Sequence, residues 1–159
     1  MAIDEKANRY LVLLKIDATN LFHRIKDRHD EYMDDFSLKR DRKIFADVFY
    51  SRYPTMQMNE LANLPIEIIE LANQFYLKVD KIHWYLMHTQ DMPTTIEDEV
   101  IHACAQLKSY LDNLVLYIDA ELSGGEREDS KETEGEDLGK IEVQEFQEDS
   151  DNWQEETDF

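Results

Sequence analysis

Residues 1–122 contain no glycine; all four glycines of the chain, at 124, 125, 135 and 139, lie beyond that stretch. Tight β-turns need backbone at positive φ, which glycine supplies at least cost. A long glycine-free stretch therefore suits helices joined by short connections better than a set of hairpins. It also excludes a P-loop or a dinucleotide-binding turn from the same residues, because both need glycine to let backbone N–H groups approach phosphate. Three prolines, at 54, 65 and 93, punctuate the stretch. A proline disfavours helical geometry in the residue before it, so each marks a boundary.

Apolar spacing between those boundaries is helical. Ile3, Ala7, Tyr10, Leu11, Leu14, Ala18, Leu21, Phe22, Ile25 and Tyr32 recur at steps of three and four, predicting a first helix from Asp4 to Met33. Ser37 has the chemistry of an N-cap, predicting a second long helix that Pro54 closes after Tyr53. Thr55 is read as the cap of a short helix over residues 56–63. Pro65 suits the first position of a longer helix that reaches Thr89. Thr94 with Glu97, or Thr95 with Asp98, matches a capping box for a last helix ending at Leu122. Its Val100, Cys104, Leu107, Leu111, Leu114 and Ile118 form a seam of alternating steps. The expected architecture is all-α: a bundle of four long helices and one short one over residues 1–122.

Beyond Leu122 the composition changes. The chain carries a net charge of -19, of which -12 falls on residues 123–159 and -7 on residues 1–122. So acidic a segment, with few apolar residues, cannot bury enough surface to offset the entropy of ordering it, and is read as a disordered tail. Leu138, Ile141, Val143, Phe146, Trp153 and Phe159 are scattered through it. Such side chains provide anchors for a groove on a partner, while the acid favours a partner with a basic surface and disfavours nucleic acid and anionic membrane. The ending Asn152-Trp153-Gln154-Glu155-Glu156-Thr157-Asp158-Phe159 resembles the acidic, Phe-terminated tails of bacterial and phage single-stranded DNA-binding proteins. The likeness covers about the last ten residues; the Ile-Pro before the final Phe of the bacterial form is absent, and so is a strand-rich nucleic-acid-binding barrel. It implies that Phe159 and its carboxylate are a docking anchor.

Chemistry-bearing motifs are sparse. Glu99-x-x-His102 and Asp80-x-x-His83 have the spacing used by di-metal bundles. At 100° per residue, however, Glu99 lies about 100° and His102 about 160° from the seam of the last helix, and Asp80 about 140° from the stripe of the preceding one. Solvent-facing side chains are the expectation for all three, and no metal or cofactor is expected. Cys104 falls on the seam, where a thiol far from any cation is inert. His29 continues the first helix's stripe and is read as a core or rim histidine. Lys39-Arg40-Asp41-Arg42-Lys43 is the one basic cluster, read as structural or as a contact for the chain's own acid.

The helix after Pro65 carries more information. Beside its core stripe of Ile68, Phe75, Val79, Ile82 and Leu86 runs a second apolar row: Ile66, Ile69, Tyr76, Leu77, Trp84 and Met87. A helix apolar on two sides must be covered on both. Either it is the central helix of the bundle, or Tyr76, Leu77, Trp84 and Met87 offer a patch to a second copy or another partner. The functional expectation is a non-enzymatic adaptor or regulatory protein using this face together with Phe146, Trp153 and Phe159. An acidic chaperone or nucleic-acid mimic shielding a basic protein is the alternative, and a helical-bundle metalloenzyme the third. A single cysteine, no signal-peptide pattern and no long apolar run make the cytoplasm the expected compartment.

Overall fold

A computed structural model describes residues 5–124, and among them every regular element is helical. The order is α1 (Glu5–Asp27), α2 (His29–Lys39), α3 (Ile44–Val48), a 3₁₀ turn (Tyr53–Thr55), α4 (Met58–Leu61), α5 (Ile66–His88) and α6 (Pro93–Ser123). Four of these are long, as expected. No described helix is long and apolar enough to cross a membrane.

The 31-residue α6 is the hub. Its Ile96, Val100, Ala103, Leu107, Leu111, Leu114 and Ile118 are buried, and it packs chiefly against α5 and α1, with α2 against it as well. Complete burial of a Leu or Ile stabilises by roughly 2 kcal/mol each, so this seam, with α1's Leu11, Leu14, Leu21 and Ile25 and α5's Ile68, Phe75 and Leu86, forms the core. Lys15 bonds Asp119 at 2.6 Å, while Lys26 and Cys104 line one cavity, so α1 runs antiparallel to α6. The central position belongs to α6, not to α5 as the second apolar row allowed.

The N-terminal half departs from the predicted boundaries. The expected single helix over 4–33 is broken at Arg28 (φ -95°, ψ 13°), and the chain stays helical through Ser37 to Lys39. Ser37 is thus inside α2, not at an N-cap. Tyr32, fully buried, donates its hydroxyl to the Ile25 carbonyl at 2.6 Å. In an unbroken helix that carbonyl would take the His29 amide, so a side chain entering the ladder accounts for the kink. Tyr32→Phe should strand a buried carbonyl and cost about 1–3 kcal/mol in urea unfolding; an unchanged midpoint would show that the kink has another cause.

Helix α2 ends with Arg40 at φ 51°, the left-handed region, its amide bonding Phe36 O at 2.9 Å. Glycine normally takes this place, and this domain has none. The Arg40 and Arg42 guanidinium groups both lie over the Phe36 ring, 5.0 and 5.1 Å from its centroid. Arg42 Nη2 also reaches Thr89 O at 2.6 Å. Two members of the basic cluster therefore clamp α2 to the α5–α6 connection.

A second long helix over 38–53 does not form. Only α3 is helical there, and residues 49–57 lie as a strap between α1 and α5. Asp17 of α1 fastens it: the carboxylate accepts Ser51 Oγ (2.8 Å), Arg52 N (3.0 Å) and, from α5, Tyr76 Oη (2.6 Å). Two caps also differ. Thr55 bonds back to Arg52 O, leaving Gln57 at the head of α4, and Met92 precedes α6, so Thr94 and Thr95 sit inside its first turn without a side-chain cap.

Candidate functional site

Helix α5 has one face wholly committed to the core and a second that the fold divides. Tyr76 turns inward and is 8% exposed, its ring stacked on Tyr53 at 3.9 Å. Burial, and then the Asp17 carboxylate beside it, push its phenol far above the usual range. The expectation that Tyr76 shares an open surface with Leu77, Trp84 and Met87 therefore does not hold: the strap covers it. Ile69 is half-buried. The row missed this because the covering residues, 49–54, come from a distant segment.

The remaining four side chains are exposed: Ile66 by 70%, Leu77 by 47%, Trp84 by 65% and Met87 by 39%. Ile66, Leu77 and Trp84 are separated by eleven and seven residues, which at 100° each keeps them within about 20° of one line along the helix. Trp84 is held in place by His88, stacked on it at 4.4 Å. Beside Leu77 lies a groove of about 280 Å³ between α5 and the strap, lined by Tyr53, Pro54, Asn73, Leu77, Asp80 and His83 among others. His83 stacks on Phe49 at 5.0 Å, and its burial lowers the imidazole pKa while Asp80 opposes the shift. An exposed aromatic on a ridge with a shallow groove alongside has the chemistry of a protein-docking surface.

Further cavities lie among the described residues. A larger groove of about 590 Å³ lies between α1 and the strap, with Leu13, Ile16 and Tyr50 exposed on its walls and Arg24 engaged by the Val48 and Tyr50 carbonyls. A smaller one, about 290 Å³, is lined by Lys26, Asp27, His29, Asp30, Ile101 and Cys104. Cys104 is only half-buried, Ala103 taking the core position, and a cation is near after all. Burial still wins, raising the thiol pKa against the opposing Lys26, so the group stays a protonated, poor nucleophile at neutral pH. His29 sits at the rim, its ring edge-on to Tyr32 at 5.7 Å and Nδ1 3.2 Å from Asp30 Oδ1.

Asp80, Glu99 and His102 are exposed, as their helical angles require, and among the described residues no three His, Cys, Asp or Glu side chains gather to hold a metal ion. Phe146, Trp153 and Phe159, with the rest of the expected tail, lie outside the described residues. Comparison with protein families, with characterised proteins and with solved structures returns no match.

Proposed function

We propose that this chain is a non-enzymatic protein-interaction protein, an adaptor or regulator, whose α5 ridge docks an apolar surface of another polypeptide. The observation that carries the reading is Trp84, 65% exposed on a rigid helix whose opposite face is fully packed. Exposed indoles on rigid elements are disproportionately binding hot spots, because they bring large area with little entropy to lose. The acidic residues 123–159 add a long-range attraction for a basic partner, speeding encounter in a salt-dependent way. Trp153, Phe146 and Phe159 supply apolar anchors within that acid. The cytoplasm fits a chain with a single, half-buried thiol.

An acidic shield or mimic for basic proteins is the second reading, favoured by the net charge of -19 alone. Affinity purification of partners with full-length chain, Trp84→Glu and a chain lacking Phe159 separates the two. An adaptor retains few partners and loses them with Trp84→Glu by about tenfold or more, at unchanged helix content. A shield retains many basic proteins, ignores both substitutions and releases all of them as salt rises. That second pattern would overturn the proposal.

A further inference from the structure

We infer that the occupant of the α5 ridge is the same ridge of a second copy, packed antiparallel about a two-fold axis near residues 75–76. This deepens the docking reading given above and rests on it. The charges flanking the ridge specify the pairing. Glu70 and Lys81 are both exposed, and neither has an ion-pair partner among the described residues, although α1, α2 and α6 each hold carboxylate–cation pairs four residues apart. Eleven residues apart, the two side chains share one flank of the ridge, offset by only about 20° and separated by about 16 Å along the axis.

An antiparallel two-fold brings like flanks together. With the axis midway between them, Glu70 of one copy meets Lys81 of the other, and the symmetry makes the contact twice. The same register sets Trp84 opposite Ile66, the two most exposed apolar residues of the helix ridge, with the Leu77 side chains near the axis. On the other flank Asn73 comes within about 3 Å of the level of Asp80, giving that carboxylate an amide donor rather than a second carboxylate. The opposed helix dipoles add to the preference. A parallel pair would match Lys81 with Asp80 but leave Glu70 with no cation at its level. Two chains of charge -19 repel at long range, and that repulsion is screened beyond about 8 Å at physiological ionic strength.

The test is sedimentation equilibrium of the full-length chain at physiological ionic strength, from micromolar to submillimolar concentration. A reversible dimer is expected. Glu70→Lys and Lys81→Glu should each weaken it by about tenfold, since each turns two attractive contacts repulsive, and the double variant should restore it. In a Cys104→Ala background, a short bis-maleimide should link Glu70→Cys to Lys81→Cys when the two variants are mixed, and neither to itself. Self-linking of Glu70→Cys would overturn the antiparallel register. A chain monomeric throughout would overturn the second copy as occupant; if Trp84→Glu still loses partners, the docking reading survives that result, and if it loses none, both fail.

Discussion

Replacing Asp17 with alanine should lower the unfolding free energy by about 3 kcal/mol, because hydrogen bonds to a charged acceptor are worth roughly 1.5–3 kcal/mol and a buried phenol would be left unpaired. The half-buried carboxylate holds three donors from two other parts of the chain: Ser51, Arg52 and Tyr76. Without it, only Arg24, donating to the Tyr50 carbonyl, still fastens the strap to α1 by a polar contact, and the Tyr53–Tyr76 stack at 3.9 Å loses its lateral support. Asp17→Asn keeps one acceptor oxygen and should cost less than the alanine variant. Equilibrium denaturation reads the difference, and hydrogen exchange of residues 49–57 should rise well before global unfolding. A loss below about 1 kcal/mol for the alanine variant would mean that packing alone secures the strap.

The second large effect is alkaline. Burial raises the phenol pKa values of Tyr32 and Tyr76 well above 10, while in the unfolded chain both titrate near the ordinary value of about 10. Below pH 10 both states hold both protons, and these two phenols leave stability unchanged. Above it the unfolded chain releases two protons that the native state retains, so stability falls as pH rises. The slope is about 1.4 kcal/mol per pH unit for each phenol, or about 2.7 for the two. Tyr76→Phe should lower stability at neutral pH through the lost bond to Asp17 and also remove about 1.4 kcal/mol per pH unit from an alkaline slope to which the raised Tyr53 and Tyr85 phenols also contribute. Urea titrations at a series of pH values from 8 to about 11.5 give both quantities; a variant with the full slope would show that Tyr76 does not carry it.

Much of the fold was legible because α5 and α6 advertise themselves. Val100, Leu107, Leu111, Leu114 and Ile118 alternate in steps that only a helix uses, and all are buried. The α1–α2 region was harder. The signal that ends α2 is a left-handed residue, and in most helices glycine marks it; here Arg40 occupies it and leaves no trace in the sequence. The kink at Arg28 was equally hidden, since it depends on a tyrosine hydroxyl reaching back seven residues. Of the expected site, Leu77, Trp84 and Met87 are where helical geometry put them, whereas Tyr76 is covered by a segment whose position depends on Asp17, 59 residues away. Contacts of that range follow from tertiary packing, not from local spacing.

The antiparallel packing of α1 on α6 bears on how the chain is made. Lys15 and Asp119 are 104 residues apart, so the part of α1's apolar face that packs on α6 stays open until nearly the whole domain exists, although α2, α3 and α4 reach α1 earlier. The α5–α6 pair, by contrast, closes across the four-residue connection of residues 89–92. Local closure is fast and distant closure slow. The hairpin of α5 and α6 should therefore be protected first in pulsed hydrogen exchange during refolding, with α1 docking last; simultaneous protection of α1 would contradict this order. On the ribosome, the side of α1 that faces α6 would wait for its partner until α6 emerges, which makes it a surface for a holding chaperone to cover.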